Sequence, residues 1–299
     1  MSTYLDYLDE NALPLMWCPG CGDGTILKAL LGAFATLGLK RENTVVVTGI
    51  GCWGKADDYI RTNAIHGTHG RALAVATGVK AFRPDLTVVA LMGDGDCATI
   101  GGNHFIHAAR RNIGVTAIVA NNLNYGMTGG QFSGTTPVGS RTSTSPFGHT
   151  ENPFDLCRLA EAAGANFVAR TTAYHFKQMG QLMVEALQEP GFSLVEVVSP
   201  CPTYYGRFNK QGSASEMWRS LKERARSVGA GGTEAPAEAG SLEAPTEAGS
   251  LEAPPDDGPD APILTGRLVS RHKPSFAERY AAVQATAARA GEGAEPDAR

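Results

Sequence analysis

Hydrophobic and polar positions alternate along residues 1–228 in two patterns. Short runs of β-branched and aliphatic residues predict buried strands, at 44–50, 86–92, 115–121 and 192–198. Longer stretches with apolar residues at helical spacing predict helices, around 24–37, 67–82, 101–112, 153–163, 174–188 and 214–226. Strands that alternate with helices indicate an α/β fold, with a mostly parallel sheet and helices on both faces. The carboxyl ends of such strands share one edge of the sheet, where ligands bind.

Residues 229–262 break this pattern. They contain eight acids and six prolines but no basic or aromatic residue, and the sequence at 234–242 recurs almost unchanged at 243–251. Too few large apolar groups are present to offset the entropy of ordering the chain. We therefore expect a disordered acidic linker between a domain at 1–228 and an extension at 263–299 that packs on the body and frays at its end. An acidic segment that docks a partner is the alternative.

Composition narrows the classes of function. The 299 residues carry 26 basic and 30 acidic side chains, a net charge of −4, without a run of Lys or Arg. This balance argues against binding of nucleic acid or of an anionic membrane. The sequence shows no apolar stretch of membrane-spanning length and no secretory or transit signal, so we expect a cytoplasmic protein. Six cysteines in a chain of this size fit reduced thiols or metal ligands.

Two of the predicted strands end in residues that bind cations and phosphates. Asp94 follows the strand at 86–92, and Asn122 follows the strand at 115–121. Their side chains, with the carbonyl oxygen of Asn124, offer oxygen ligands for Mg²⁺, which phosphate oxygens and water would complete. Glycines at 95, 101 and 102 would let backbone N–H groups at the next helix start approach a diphosphate. The alternative is that Asp94 and Asn122 merely close turns.

Four of the six cysteines lie in three segments at this edge of the sheet. They are Cys18 and Cys21 in a Cys-Pro-Gly-Cys turn, Cys52 after the first strand and Cys201 after the last. Sets of thiolates such as this hold iron–sulfur clusters. A structural zinc site uses the same ligands, and the order Trp-Cys-Pro-Gly-Cys also allows a thioredoxin-like redox pair. The other two cysteines match no ligand motif and are expected to be buried as small apolar residues.

Longer motifs in the chain resemble one family. They are WCPGCG at 17–22, GIGCWGK at 49–55, HGTHGRALAVATGVK at 66–80, GDGDCATIGGNHFIHAARRN at 93–112, NNLNYGMTGGQ at 121–131 and SPCP at 199–202. GDG followed by NN resembles the magnesium and thiamine diphosphate motif of thiamine enzymes. Together, across residues 14–228, the motifs resemble the β subunit of 2-oxoacid:ferredoxin oxidoreductases, which implies a thiamine-diphosphate-binding domain.

The resemblance implies the cofactors and their ligands. Mg²⁺ would bind to Asp94, Asn122 and Asn124, and one [4Fe-4S] cluster to Cys18, Cys21, Cys52 and Cys201. Thiamine diphosphate would contact residues of the strand-end loops, namely Ile50, Gly51, Cys52, Trp53, His69, Gly95, Asp96, Gly126 and Met127. The resemblance places His69 beside the reacting cofactor, whereas a hydrogen bond at a helix start is the alternative for its ring.

The resemblance also implies an activity and partners. A member of this family catalyses the oxidative decarboxylation of a 2-oxoacid, with coenzyme A as co-substrate and ferredoxin as electron acceptor. The Glu that contacts the cofactor's aminopyrimidine ring has no candidate here, because the chain has strands for one α/β domain. A separate α subunit would supply it, in an (αβ)₂ assembly. A non-redox thiamine-dependent decarboxylase half and a zinc-stabilised binding module are the alternatives.

Lys55 indicates which 2-oxoacid is the substrate. It lies three residues after Cys52, in a loop that the resemblance places beside the reacting cofactor. A lysine there has the reach and charge to bind a second carboxylate. 2-Oxoglutarate carries one and pyruvate does not, so we expect 2-oxoglutarate, with pyruvate and other 2-oxoacids as alternatives. A solvated lysine without a functional role is the other interpretation.

Overall fold

The computed structural model describes residues 2–228 and 258–292, and the strands of these residues form one sheet. They are β1 (Thr44–Thr48), β2 (Asn63–His66), β3 (Thr87–Gly93), β4 (Val115–Asn121), β5 (Phe167–Thr172), β6 (Ser193–Val198), β7 (Ala225–Ser227) and β8 (Ile263–Ser270). Their order across the sheet is β2-β1-β3-β4-β6-β5-β8-β7. The first six strands are parallel to their neighbours, and β8 is antiparallel to β5. The expected α/β class is confirmed.

Helices cover both faces of this sheet. They are α1 (Asp23–Leu37), α2 (Ala72–Phe82), α3 (Gly102–Arg111), α4 (Leu156–Ala163), α5 (Phe176–Gln188), α6 (Ala214–Arg224) and α7 (Phe276–Glu292). The core under α1 and α5 includes Ile118, and the core under α2, α3 and α4 includes Val119. Successive residues of β4 thus point to opposite cores, as the period of a strand requires. Among the described helices, none is long and apolar enough to cross a membrane.

Three strands lack the apolar run that predicts a buried strand. β2 is exposed along its whole length, so its residues carry no hydrophobic signal. β5 is interrupted by Arg170, a charged residue that pairs with Glu196 on the neighbouring strand. β7 lies within the predicted helix 214–226, which ends at Arg224 in the structure. The predicted helix 67–82 begins later, at Ala72, after a turn in which Gly70 has a φ of +72°.

The extension after the predicted linker joins the sheet through β8. Beyond β8, the carbonyl oxygen of Lys273 accepts hydrogen bonds from the side-chain amides of Asn112 (3.1 Å) and Asn166 (2.8 Å). The carbonyl oxygen of Pro274 accepts a second bond from the Asn112 amide (3.1 Å). These bonds hold the segment before α7 against the body. Most of the predicted linker, residues 229–257, lies outside the described residues.

The ends that flank the predicted linker are offset along the sheet edge. β7 and β8 are parallel, with Ala225 opposite Ile263 and Ser227 opposite Thr265. Val228 therefore lies three residues further along the strand direction than Ile263, which is roughly 10 Å at about 3.3 Å per residue. Directly bonded residues have Cα atoms only about 3.8 Å apart, so Val228 and Ile263 cannot be joined without moving a strand. The connection therefore needs length, although it need not have a particular sequence.

We expect direct deletion of 229–262 to separate β7 from β8 and to lower the midpoint of thermal unfolding by about 4 °C or more. Replacement of 229–257 by about twelve Gly and Ser residues, the length of a parallel crossover, should keep it within about 2 °C. Calorimetry on both variants measures this difference. If the replacement loses ferredoxin reduction while the fold is intact, the segment docks a partner instead of acting as a spacer.

Candidate cofactor and metal site

The strand ends that carry the predicted site are neighbours at one edge of the sheet. β1, β3, β4 and β6 are adjacent and parallel, so their carboxyl ends share this edge. Asp94 follows β3, Asn122 follows β4, and Cys201 follows β6 after a short loop. A π-helical segment, Gly95–Ile100, connects β3 directly to α3. Sheet order alone therefore brings the predicted metal and cofactor residues together.

Asp94 is buried, with one carboxylate oxygen fully used by hydroxyl groups. Its Oδ2 accepts hydrogen bonds from the Ser133 hydroxyl and from the Thr135 hydroxyl (2.7 Å). Its Oδ1 takes one long contact among the described residues, from the Asn122 backbone N–H (3.4 Å). Burial raises the pKa of this carboxyl, and the two hydroxyl groups oppose that rise. The arrangement leaves Oδ1 as a ligand atom for a hard cation.

The loop after β4 places Asn122 against Asp94 and Asn124 against Asn122. Asn122 and Asn124 are both buried, and the Asn124 side-chain amide donates to the Asn122 carbonyl oxygen (2.7 Å). Between them Leu123 has a φ of +64°, a left-handed conformation that turns the chain between the two asparagines. The Asn122 side-chain oxygen takes long contacts from Asn124 (3.3 and 3.4 Å), weak enough for a cation to replace. The oxygen donors present thus fit Mg²⁺.

Asp96 joins three loops at the same edge. Its Oδ1 accepts hydrogen bonds from the His69 ring and from the backbone N–H groups of Gly70 (2.6 Å) and Ile50 (3.4 Å). Burial raises its pKa, and the bonds from Gly70 and His69 oppose the rise. A Cβ atom at Gly49 would clash with this carboxylate, so only glycine fits there. Asp96 and His69, both predicted to contact the cofactor, brace each other in this structure.

The four predicted cysteine ligands surround one region beside this site. A Cβ atom placed on Gly126 would lie 3.5 Å from the Cys52 sulfur and 3.6 Å from both the Cys201 sulfur and the Asn122 amide nitrogen. In the Cys-Pro-Gly-Cys turn, the Cys21 backbone N–H donates to the Cys18 carbonyl oxygen (3.0 Å). All six cysteines are free thiols, and the two outside the set are buried, as expected.

The electrostatics of these thiols indicate that they share one pocket. Burial raises the pKa of Cys52 to about 12, and negative charge on Asp23, Cys201 and Cys18 adds to the rise. Burial likewise raises the pKa of Cys21, which also responds to Asp23, Cys52 and Cys201. Desolvated thiols become good ligands when a metal replaces their protons. The donor set therefore fits a Cys₄ centre.

Three residues of the site, Ser133, Thr135 and Asp23, are not among those that the sequence predicts. Ser133 and Thr135 lie in a long loop where Ser, Thr and Gly are common, so nothing distinguishes them as partners of Asp94. Asp23 is fully buried at the start of α1, and burial raises its pKa to about 7. Its position two residues after Cys21 is the signal that was available.

Trp53, which is predicted to contact the cofactor, has its side chain in the core. Its side chain is 1% exposed, and its ring nitrogen donates to the Ile118 carbonyl oxygen (3.1 Å). Trp53 also packs near Trp17, whose ring nitrogen donates to the Cys52 carbonyl oxygen (2.7 Å). The Trp53 ring thus belongs to the core below the loop, and contact between Trp53 and the cofactor stays a prediction.

Three further predicted residues, Lys55, Met127 and Gly51, are partly or largely exposed. Lys55 is about one third exposed, and its Nζ lies 2.7 Å from the Asp58 carboxylate, which raises the pKa of the lysine. Met127 is 41% exposed at the tip of the loop after β4. Gly51 has a φ of +116° in the loop after β1. A substrate carboxylate would have to displace Asp58 from Lys55.

Comparison with known proteins assigns the fold and the family. Residues 49–197 match the family model of the thiamine pyrophosphate enzyme C-terminal TPP binding domain. The 2-oxoglutarate synthase subunit KorB of Archaeoglobus fulgidus is 51% identical over 223 residues, 75% of this chain and 81% of the relative. KorB of Methanocaldococcus jannaschii is 48% identical over 225 residues, 75% of this chain and 83% of the relative.

A solved structure is similar along nearly the whole chain. It is described as the 2-oxoglutarate:ferredoxin oxidoreductase from Magnetococcus marinus with 2-oxoglutarate, coenzyme A and succinyl-CoA bound. It superposes with a TM-score of 0.79 at 30% identity, over 96% of this chain and 91% of that one. The resemblance deduced from the motifs is confirmed. The chain belongs to the KorB family, the β subunits of 2-oxoacid:ferredoxin oxidoreductases.

Proposed function

We propose that this chain is the β subunit of a 2-oxoglutarate:ferredoxin oxidoreductase. With an α subunit it would convert 2-oxoglutarate and coenzyme A to succinyl-CoA and carbon dioxide, and pass two electrons singly to ferredoxin. One observation carries the proposal: Gly126 lies between two predicted cluster ligands, Cys52 and Cys201, and the predicted magnesium ligand Asn122. A Cys₄ centre and a diphosphate site that are this close suit electron transfer from one to the other.

The metal and cofactor roles follow from the donors at the strand ends. Asp94 Oδ1, the Asn122 side-chain oxygen and the Asn124 carbonyl oxygen would hold Mg²⁺ against the diphosphate. Ser133 and Thr135 keep Asp94 in one orientation through its other oxygen. Bound thiamine diphosphate supplies a nucleophilic carbon and an electron sink for decarboxylation. Asp96 keeps the His69 turn and the loop after β1 together, so that both stand beside the reacting groups.

The cluster role follows from the four thiols. Cys18, Cys21, Cys52 and Cys201 would bind one [4Fe-4S] cluster, which accepts and releases one electron at a time. The Trp17 ring nitrogen fixes the Cys52 carbonyl oxygen (2.7 Å), and the Trp218 ring nitrogen fixes the Gly20 carbonyl oxygen (2.8 Å). These bonds hold the two loops that carry three of the ligands.

We propose partner subunits for two reasons. The cofactor needs a Glu that the described residues of the site do not supply, and large apolar side chains of the site loops are exposed. The aminopyrimidine-contacting Glu would come from the α subunit, in an (αβ)₂ assembly that transfers electrons to ferredoxin. Large apolar side chains are exposed in the segments after β3 and β4: Ile100, Met127, Val138 and, at 99% exposure, Phe147. These apolar side chains are available for burial against a partner subunit. A cytoplasmic location remains a prediction.

The experiment that tests this function uses the anaerobically purified αβ complex. Ferredoxin reduction should require 2-oxoglutarate, coenzyme A and Mg²⁺ with thiamine diphosphate, and omission of any one should abolish it. Decarboxylation without ferredoxin reduction, from a protein free of iron, would indicate a non-redox decarboxylase. Bound zinc without affinity for thiamine diphosphate would indicate a binding module.

Lys55 determines the choice of substrate in this proposal. Lys55→Ala should lower kcat/KM for 2-oxoglutarate by roughly 30- to 1,000-fold, about 2–4 kcal/mol for a partly desolvated ion pair. Pyruvate or 2-oxobutyrate turnover should be spared, because neither has a distal carboxylate. Asp58→Asn is the matched control, since it removes the competing carboxylate and should leave 2-oxoglutarate turnover equal or higher. An equal fall for all substrates would assign Lys55 to the cofactor or the fold.

A further inference from the structure

A series of buried hydrogen bonds connects a carboxylate on β6 to the proposed magnesium site. Glu196 lies on β6 and is buried. Its Oε1 accepts from the Asn121 side-chain amide (2.7 Å), at the last residue of β4. The Asn121 side-chain oxygen in turn accepts from the Leu123 backbone N–H (3.1 Å). Through two side chains, Glu196 therefore reaches the turn between Asn122 and Asn124.

The turn that these bonds hold is costly to form. Leu123 is a non-glycine residue with a φ of +64°, in the left-handed region that L-residues avoid. Such a conformation persists only where the surrounding structure holds it. Asn121 holds the Leu123 N–H, and the Thr136 hydroxyl donates to the Leu123 carbonyl oxygen (2.7 Å). These bonds therefore hold the turn that sets Asn122 against Asp94 and Asn124 against Asn122.

Glu196 itself is fixed from the opposite side. Its Oε2 accepts from Arg170 Nε (2.7 Å), and Arg170 also donates to Asp155 (2.6 Å). The Cys157 sulfur lies 3.2 Å from the same Glu196 oxygen. A buried carboxylate is costly unless it is paired and hydrogen-bonded, and here both oxygens are used. This pairing leaves Glu196 one orientation, in which Oε1 faces Asn121.

We propose that Glu196 is a positioning residue for the proposed magnesium site: through Asn121 it holds the left-handed turn at Leu123 that sets Asn122 against Asp94 and Asn124 against Asn122. The inference rests on the proposed function, because it assigns Mg²⁺ to that loop. Glu196 does not contact the cation or the cofactor. Its effect is on the affinity for Mg²⁺ and not on the iron–sulfur ligands.

The test uses the anaerobic αβ complex after removal of Mg²⁺ and thiamine diphosphate. Glu196→Gln keeps the shape but turns one acceptor into a donor; the charged Arg170 keeps the remaining oxygen, so the bond to Asn121 is lost. We expect the Mg²⁺ concentration for half-saturation of thiamine diphosphate binding, measured by calorimetry, to rise 10- to 100-fold, the usual effect of losing an outer-sphere partner. Iron content should stay at about four atoms per chain.

Two further variants separate positioning from damage to the fold. Cys157→Ala removes another contact to the same carboxylate but leaves the Asn121 bond, and should change Mg²⁺ affinity by about twofold or less. The double variant of Asn121→Asp and Glu196→Gln restores the hydrogen bond with donor and acceptor exchanged. The amide introduced at position 196 donates to the carboxylate introduced at position 121, and this carboxylate still accepts from the Leu123 backbone N–H. This double variant should recover affinity to within about threefold of the parent, as a double-mutant cycle requires for a direct pair.

The outcomes distinguish this inference from the proposed function. A parent complex that binds thiamine diphosphate without Mg²⁺ dependence would overturn both. If the parent depends on Mg²⁺ but Glu196→Gln has unchanged affinity, the positioning role alone is overturned. It is also overturned if Glu196→Gln binds weakly and the double variant does not recover. If the single variant Glu196→Gln does not fold, Asn121→Asp and the double variant provide the test. Weaker Mg²⁺ binding in Asn121→Asp and recovered affinity in the double variant support the positioning role.

Discussion

Replacing Cys201 with alanine should strip iron from the chain and abolish ferredoxin reduction by the αβ complex. Cys201 is the proposed ligand from the loop after β6, and a [4Fe-4S] cluster held by three thiolates loses iron readily. The parent should contain about four iron atoms per chain. The variant should contain fewer, with the EPR signal of the reduced cluster lost or altered.

Cys97→Ala is the control for this substitution. Cys97 is buried in the core, outside the predicted ligand set, so its loss should cost some stability but no iron. Full iron content and an unchanged EPR signal in Cys201→Ala would refute the ligand assignment. Tightly bound zinc in place of iron in the parent would assign the four thiols to a structural centre.

Asp94→Asn should weaken Mg²⁺-dependent binding of thiamine diphosphate by more than about 100-fold. The substitution removes the one charged side chain among the proposed Mg²⁺ ligands, and its effect should exceed the 10- to 100-fold loss that outer-sphere substitutions cause. Asn122→Ala should act in the same direction, because it removes a second oxygen ligand. Calorimetric titration of the stripped αβ complex, with Mg²⁺ at fixed concentration, measures the change.

The same substitution at the other end of β3 provides the control. Asp85 is exposed and pairs with Arg83 (2.6 Å) just before the strand begins, so Asp85→Asn should leave cofactor affinity unchanged. Iron content should also be unchanged in Asp94→Asn, since Asp94 is not a cluster ligand. Normal affinity in Asp94→Asn would mean that the carboxylate serves only the hydroxyls of Ser133 and Thr135.

The strands that carry the site were predictable because they are buried on both faces. β3 and β4 lie in the middle of the sheet, so their sequences are continuous apolar runs that end in polar residues. β5 was missed because its Arg170 is stabilised by Glu196 on the neighbouring strand. A sequence does not show that a charge has a buried partner 26 residues away. β2 was missed because an exposed edge strand has no apolar pattern.

The residues of the candidate site also fall into those that the sequence predicts and those that it does not. Residues at strand ends, such as Asp94 and Asn122, were predictable because sheet topology brings such ends together. Ser133 and Thr135 were not, because their loop is fixed by hydrogen bonds that it forms only once folded. Trp53 was assigned to the cofactor from its place in a motif, although its ring turns into the core. Motif position predicts the location of the backbone better than the direction of a large apolar side chain.

The central claim is that electrons pass from the bound 2-oxoacid to a cluster within this chain. Its most direct test is EPR of the anaerobic αβ complex, loaded with Mg²⁺ and thiamine diphosphate and frozen after mixing with 2-oxoglutarate and coenzyme A. The account predicts the signal of a reduced [4Fe-4S] cluster that requires both substrates for full intensity and is absent in Asp94→Asn. A cluster that dithionite reduces but 2-oxoglutarate and coenzyme A leave oxidised would contradict it.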